Sequence, residues 1–320
     1  MSVIAEHNLR PKVSILIPVY NRSAYITECI QSALDQIFTD IEVVIVDNAS
    51  DDGTWEICQQ FEVADPRIRI FRNESNIGPV RNWQRCAQEA RGEFSKFLFS
   101  DDTLEPNCLS EMVPKLQTSE VALVYCAARI GKSRDKSLVA YSQADSSRLS
   151  ATQFVNLVIS GNAPVSPGAV LIRTKDLLNN LHTTFATATF RQFDKNGAGP
   201  DVMTLLLTAR NYSYVANISK ALVFFRAHAG SFSIDNSNNN VAKGYQSSIS
   251  LFLIQNYSRK VWIDYLAQAW LQQIRFTRSW RSPMAHLIEF EGRGRVTEVI
   301  KLQLLAALHI VNAICRKFMN

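Results

Sequence analysis

Residues 13–19 are an apolar run, with Ser14 its one polar member, rich in β-branched side chains, the pattern of a strand buried on both faces. Behind it Ile26, Ile30, Ala33, Leu34 and Ile37 recur at helical spacing over 22–36. Residues 41–46 predict a second buried strand and 54–61 a second helix. Over 67–71 basic and apolar side chains alternate, as in a half-exposed strand. Pro79 opens a third helix, at a position where its missing N–H costs nothing, Gly92 closes it, and 94–99 is the next strand. This alternation predicts an α/β fold with a mostly parallel central sheet flanked by helices.

From about residue 120 the pattern loosens. Residues 121–126 and 169–172 predict strands and 152–159 a helix. Another helix runs from Asp201 to about 210, with Asp201 as its N-cap or as an exposed base. Residues 212–225 read as a hairpin or strand pair, and 160–168 as a wall or mobile loop. The polar stretch 235–240 is a linker, and 243–276 and 297–318 are largely helical, giving a helical C-terminal extension. The divisions fall at 1–110, 111–234 and 241–320.

Composition narrows the classes. Of 320 residues 47% are hydrophobic and 20% charged, which argues against disorder. Six cysteines without a C-x-x-C pair or zinc spacing read as reduced thiols of a cytosolic protein. The first residues carry no apolar signal region, and the stretch 302–314 is interrupted by Gln303, His309 and Asn312, too short to span a bilayer. The expectation is a cytoplasmic chain, peripheral at the inner face of the membrane if it meets lipid. Residues 258–320 hold ten basic against four acidic side chains, so the net +5 sits in this tail and the body is near neutral. A nucleic-acid partner is not expected from such a body.

In open α/β sheets ligands bind outside the carboxyl ends of the strands. Pro18, Tyr20 and Asn21 follow strand one, Asp47 and its polar loop follow strand two, and Ser100, Asp101 and Asp102 follow the strand ending near Phe99. Asp101–Asp102 reads either as a solvated turn or as a site for Mg²⁺ or Mn²⁺ that neutralises a diphosphate. Arg226 and His228 alternate along an extended segment, so their side chains face the same way. An arginine there can hold phosphate, and a neutral imidazole can complete a metal shell.

In order along the chain, residues 14–21 (SILIPVYN), 43–54 (VVIVDNASDDGT), 76–82 (NIGPVRN), 90–93 (ARGE), 100–102 (SDD), Asp201 and 226–228 (RAH) resemble the family 2 glycosyltransferases of GT-A fold. The resemblance covers residues 11–233, about 70% of the chain. It implies inverting transfer of a sugar from a nucleotide-diphospho-sugar (UDP-, GDP- or dTDP-linked) to a glycan or lipid-linked acceptor hydroxyl, in bacterial polysaccharide or O-antigen type synthesis. Residues 1–110 would bind the nucleotide-sugar and 111–234 the acceptor. Pro18 and Tyr20 would line the base pocket, Asp47 would contact base or ribose, and Arg81 base or phosphate. Ser100, Asp101 and Asp102 match the metal-binding DxD region, with Ser100, Asp101 and Arg226 on the donor side. Asp101, Asp102 and His228 would hold Mn²⁺ or Mg²⁺, and Asp201 would be the catalytic base. Phe99 stands where many members have the first Asp of DxD, and Pro200 where an acid often precedes the base.

A dinucleotide oxidoreductase is excluded, because no Gly-rich turn follows the first strand. The remaining alternative is a degenerate GT-A domain that binds a nucleotide-sugar or a partner without turnover. In the tail, Trp262, Leu266, Ala269, Trp270 and Ile274 keep a helical stripe. It packs on the catalytic domain or a second copy, or lies against anionic lipid.

Overall fold

Strands β1 (Val13–Val19), β2 (Ile41–Asp47), β3 (Ile68–Arg72) and β4 (Phe94–Phe97) lie side by side in the order β3-β2-β1-β4, every pair parallel. Helices α1 (Ile26–Leu34), α2 (Thr54–Ala64) and α3 (Pro79–Glu89) make the crossovers. The protein is seen here as a computed structural model that describes residues 10–143, 147–183, 197–228 and 240–277. All seven residues of β1 and of β2 are buried, including Ser14, Glu42 and Asp47, which interrupt their otherwise apolar runs.

The second half of the sheet is mixed. Strand β9 (Val170–Arg173) runs antiparallel to both β4 and β6 (Val121–Ser133), and β10 (Tyr214–Arg226) runs parallel to β6. The two-residue β5 (Thr103–Leu104) and the edge strands β7 (Lys136–Ala140) and β8 (Arg148–Ser150) also pair antiparallel. The main strands other than β9 therefore share one direction, and their carboxyl ends share one rim.

Residues 212–225 form no hairpin but most of the single long strand β10. The polar run from Asn217 to Lys220 that reads as a turn is a bulge instead, where the register against β6 shifts between Ile218 and Ala221. Asn217 is buried and its Oδ1 accepts from Ser147 N at 2.9 Å, so a turn-forming residue type is used as an internal brace. Three further helices are α4 (Cys108–Leu116), α5 (Ala151–Ile159) and α6 (Thr174–Asn180). The pattern hides α4 behind Pro114 in its interior.

Strand alternation sends side chains to two faces. Leu16, Val44, Val46 and Phe97 pack in one cluster, and Ile15, Ile17, Val43 and Ile45 in the other. The first cluster also contains α7 (Pro200–Ala209), α8 (Asn240–Asn256) and α9 (Arg259–Thr277), through Leu205, Phe252, Leu253, Trp262 and Leu266. Trp262, Leu266 and Ala269 of the predicted stripe are thus core, and Trp262 Nε1 donates to Ser250 Oγ at 2.8 Å. The linker at 235–239, the helix at 297–318 and the basic residues from Arg278 onward lie outside the described residues, as do the side chains of Trp270 and Ile274. Among the described residues no helix is long and apolar enough to cross a membrane.

At Gly244, α8 runs close against the segment leading into α7, and a Cβ there would collide with the Ala198 carbonyl oxygen. Gly244→Ala therefore destabilises the protein by about 1–3 kcal/mol, the usual cost of overpacking. A lower midpoint in chemical unfolding is expected. An unchanged midpoint would show that α8 is not seated on this segment.

Candidate active site

The carboxyl ends of β1, β2 and β4 meet at one rim of the sheet. Leu98 N donates to Leu16 O at 2.9 Å, where the pairing of β1 with β4 ends. Pro18, two residues on, turns its backbone to the same side, so its missing N–H faces no strand partner and the proline is tolerated. Pro18 is buried and Tyr20 exposed. The loops after β1 and β2 are then stapled together. Asn21, at φ 51°, donates its backbone N–H to Ser50 Oγ at 2.9 Å, and Arg22 N donates to Thr54 Oγ1 at 2.8 Å. Ser23 N donates to Asp52 Oδ2 at 3.0 Å. Burial works against the charge of Asp52, but bonds from Thr54 and Ser23 outweigh it and hold the carboxyl below its usual range.

Asp47 closes β2, paired in register between Val19 and Arg72, and is fully buried. Its Oδ2 accepts from Ser50 N at 3.1 Å and lies 3.2 Å from Arg72 Nε. Among the described residues its Oδ1 has no hydrogen-bond partner. Beside it an asparagine lattice fixes the entry to α3. Asn48 Oδ1 accepts from Asn73 Nδ2 and Ile77 N, each at 3.0 Å, Asn73 Nδ2 also reaches Asn82 Oδ1 at 2.9 Å, and Asn82 Nδ2 donates to Val46 O at 3.0 Å. Arg81 stands exposed on the first turn of that helix.

After β4, Phe99 turns its ring to Trp83, centroids 5.3 Å apart, and to Phe97. The apolar residue at the start of the acidic motif is thus absorbed by an aromatic cluster. Ser100 and Asp102 are buried, and Asp101 is half-buried. Asp102 Oδ1 accepts from Arg226 N at 2.9 Å. Burial and the neighbouring Asp101 charge push the Asp102 carboxyl well above its usual range. Asp101 Oδ2 lies 2.9 Å from His228 Nε2, and Arg226 Nε donates to Asp101 O at 3.0 Å, so Arg226 and His228 do reach the same motif. The Arg226 guanidinium also bonds Glu28 and sits 5.5 Å from the ring centroids of Tyr25 and Phe224. It braces the acidic turn.

Asp201 sits at the second position of α7 and is not its N-cap. Pro200, with fixed φ and no N–H, takes the first helical position, which moves the cap back to Gly199 at φ 123°. The Asp201 side chain still serves the helix start, since Oδ1 accepts from Gly199 N at 2.8 Å and from Val202 N at 2.7 Å. Oδ2 accepts from Tyr245 Oη on α8 at 2.8 Å. Burial raises the Asp201 carboxyl to about 7 against the pull of these bonds.

The donors at 101, 102 and 228 are two hard carboxylates and an imidazole. Among the described residues no cluster of three His, Cys, Asp or Glu converges as a metal cage. A magnesium-type ion would need only one or two of these carboxylates, the rest of its shell coming from substrate phosphates and water. The elevated Asp102 is the behaviour of a carboxylate pair that a cation would relieve. Sequence reading did not single out Arg72, Glu28, Tyr25 or Tyr245. Each touches the site from a distant segment, so no local spacing marks it. A surface depression of about 1020 Å³ bordered by Arg10, Arg91, Arg173 and Lys175 opens at the opposite rim and holds none of the candidate residues.

The family model described as Glycosyl transferase family 2 matches residues 14–182. The GalNAc(5)-diNAcBac-PP-undecaprenol beta-1,3-glucosyltransferase of Campylobacter jejuni is 35% identical over 106 residues, 33% of this chain and 34% of that protein. The chain spans about 33–40% of the length of the first curated relatives it matches. The structure of S. aureus TarS 1–349 in complex with UDP-GlcNAc superposes with a TM-score of 0.66 at 19% identity, over 83% of this chain and 74% of that one. The mannosyltransferase PcManGT from Pyrobaculum calidifontis, in complex with GDP-Man and Mn²⁺, gives 0.57 at 18% identity, over 95% and 81%. At these identities the two structures establish a shared GT-A fold.

The Asp201 environment makes a pH prediction. An acid whose folded pKa is raised adds stability that is complete below its unfolded value and lost as pH rises through the folded one. Here the window runs from 3.8 to about 7. The unfolding midpoint of the wild type should fall across this window relative to Asp201→Asn and then run parallel above it. A constant difference from pH 4 to 8 would contradict the burial account.

Proposed function

The chain belongs to glycosyl transferase family 2, and from that premise we propose that it transfers a sugar from a nucleotide-diphospho-sugar to an acceptor hydroxyl with inversion at the anomeric carbon. The setting is bacterial polysaccharide or O-antigen type synthesis. An undecaprenol-linked glycan in the name of one relative supports a lipid-linked acceptor class, and donors bound by fold neighbours support a UDP- or GDP-sugar. Such an acceptor would be met at the cytoplasmic face of the membrane. Residues 1–110 would form the donor half, 111–234 the acceptor half and 241–320 a helical extension.

The observation that carries this reading is Asp47 Oδ1, a buried acceptor at the carboxyl end of β2 that has no partner among the described residues. Buried polar atoms are normally bonded. A base N–H or ribose hydroxyl would satisfy this one, and Arg72 holds the other carboxylate oxygen in place. Pro18 and Tyr20 would border the base, and Arg81 on the first turn of α3 would meet base or phosphate. Ser100 and Asp101 would face the diphosphate, with Arg226 acting through the acidic turn it braces.

Asp101, Asp102 and His228 would hold Mn²⁺ or Mg²⁺, and such an ion would neutralise charge gathering on the leaving diphosphate. Asp201 would take the proton of the acceptor hydroxyl. A base is most effective when its pKa lies near the working pH, and the Asp201 value of about 7 meets that condition.

Two variants test the division of labour. Asp47→Ala should weaken nucleotide binding by tenfold or more in calorimetry, because a buried bond to a charged group is worth about 1.5–3 kcal/mol. Asp201→Asn should leave donor binding nearly intact and cut turnover by about 10²–10⁴-fold. Full turnover in Asp201→Asn would remove it from the mechanism. Binding with no turnover in the wild type would instead favour a degenerate binding domain.

A further inference from the structure

Asp201 reaches Tyr245 across 44 positions of sequence, from the start of α7 to the first turns of α8. A carboxylate oxygen has two lone pairs. Those of Asp201 Oδ1 are taken by Gly199 N and Val202 N. Oδ2 accepts from Tyr245 Oη. We propose that Tyr245 is a positioning residue for the transfer reaction, a phenol supplied by the C-terminal helices that favours the ionised form of Asp201 and fixes the orientation of its Oδ2. This rests on the reading of Asp201 as the base.

The surroundings leave this task to the phenol. Of the elements packed on α7, α6 brings Lys175 and Asp176, the buried stretch of β6 brings Tyr125 and Cys126, and α8 brings Lys243 and Tyr245. Asp176 is engaged by Tyr212 Oη at 2.7 Å, and the side chain that bonds the Asp201 carboxylate is Tyr245. Tyr141 is the further titratable group acting on Tyr245. Burial and the Asp201 charge push the Tyr245 hydroxyl well above its usual range, so it stays a proton donor. In the reaction the acceptor proton goes to Oδ2 and Tyr245 keeps its own. The acceptor oxygen bonds the anomeric carbon as the bond to the diphosphate oxygen breaks.

The phenol is also held in place. Gly244 lets α8 touch the Ala198 carbonyl, three residues before Asp201, and Tyr265 Oη on α9 donates to Gln246 O at 3.4 Å. The helices beyond residue 240 are thus tied to the candidate base by backbone contact as well as by one side chain.

The test is a carbon-13 NMR titration of aspartate carboxyls in the full chain, with the Asp201 resonance assigned by its loss in Asp201→Asn. In the wild type it should titrate near 7, and in Tyr245→Phe about one pH unit higher, as loss of a bond to the charged form requires. Tyr245→Gln, which keeps a donor, should recover part of the shift and covers the case of a poorly folded phenylalanine variant. An unmoved or lowered titration in Tyr245→Phe overturns the proposal. The same variants, assayed for donor turnover against pH, should show the acid limb moving with the carboxyl. Faster turnover in Tyr245→Phe would mean that the phenol occupies the acceptor's place, and also overturns it. Full turnover in Asp201→Asn removes the underlying reading and this proposal with it, an outcome distinguishable from an unmoved carboxyl in Tyr245→Phe.

Discussion

Three aspartates of the candidate site are almost withdrawn from water: Asp47 is 0% exposed, Asp201 4% and Asp102 8%. Burying an ionised carboxylate costs several kcal/mol after relaxation unless partners offset it. Each of the three is offset differently. Asp47 has Arg72 and one peptide N–H, Asp102 has a peptide N–H of Arg226, and Asp201 has two peptide N–H groups and a phenol. Among the described residues none of the three is fully offset by protein groups. Asp47 keeps an orphaned oxygen, and burial holds Asp102 and Asp201 above the ordinary carboxylate range.

Much of the local architecture follows from holding these groups where they are. The staples between the loops after β1 and β2 and the asparagine lattice around Asn48 and Asn73 fix the backbone on both sides of Asp47. Arg226 and Glu28, with the rings of Tyr25 and Phe224, brace the turn that carries Asp101 and Asp102. The C-terminal helices share the core cluster of Leu16 and Val46 and reach Asp201 itself. They are joined to the catalytic sheet by apolar packing, which accounts for the described part of the tryptophan stripe.

The parallel half of the fold was legible because its strands are short segments, largely apolar or alternating, bounded by a turn or a helix start. The residues at the strand ends could be found by position alone, since ligands gather there in any open sheet of this kind. What stayed hidden depends on tertiary contact. Asn217 looks like a turn residue and is an internal brace, Pro114 interrupts the pattern of a helix that forms around it, and Pro200 displaces the cap from Asp201 to Gly199. Tyr245 belongs to a helix whose pattern says only that one face is buried, and its partner lies 44 positions away. Phe99 is a departure from the family's acidic motif whose reason, the ring of Trp83, becomes visible only in three dimensions.

The central claim is that this rim receives a nucleotide-diphospho-sugar. Calorimetric titration of the full chain with UDP, GDP, dTDP and their common sugar conjugates, in Mn²⁺ and again in EDTA, addresses it directly. The account predicts saturable binding of one nucleotide class that strengthens with the metal. Absence of binding by every nucleotide under both conditions would contradict it.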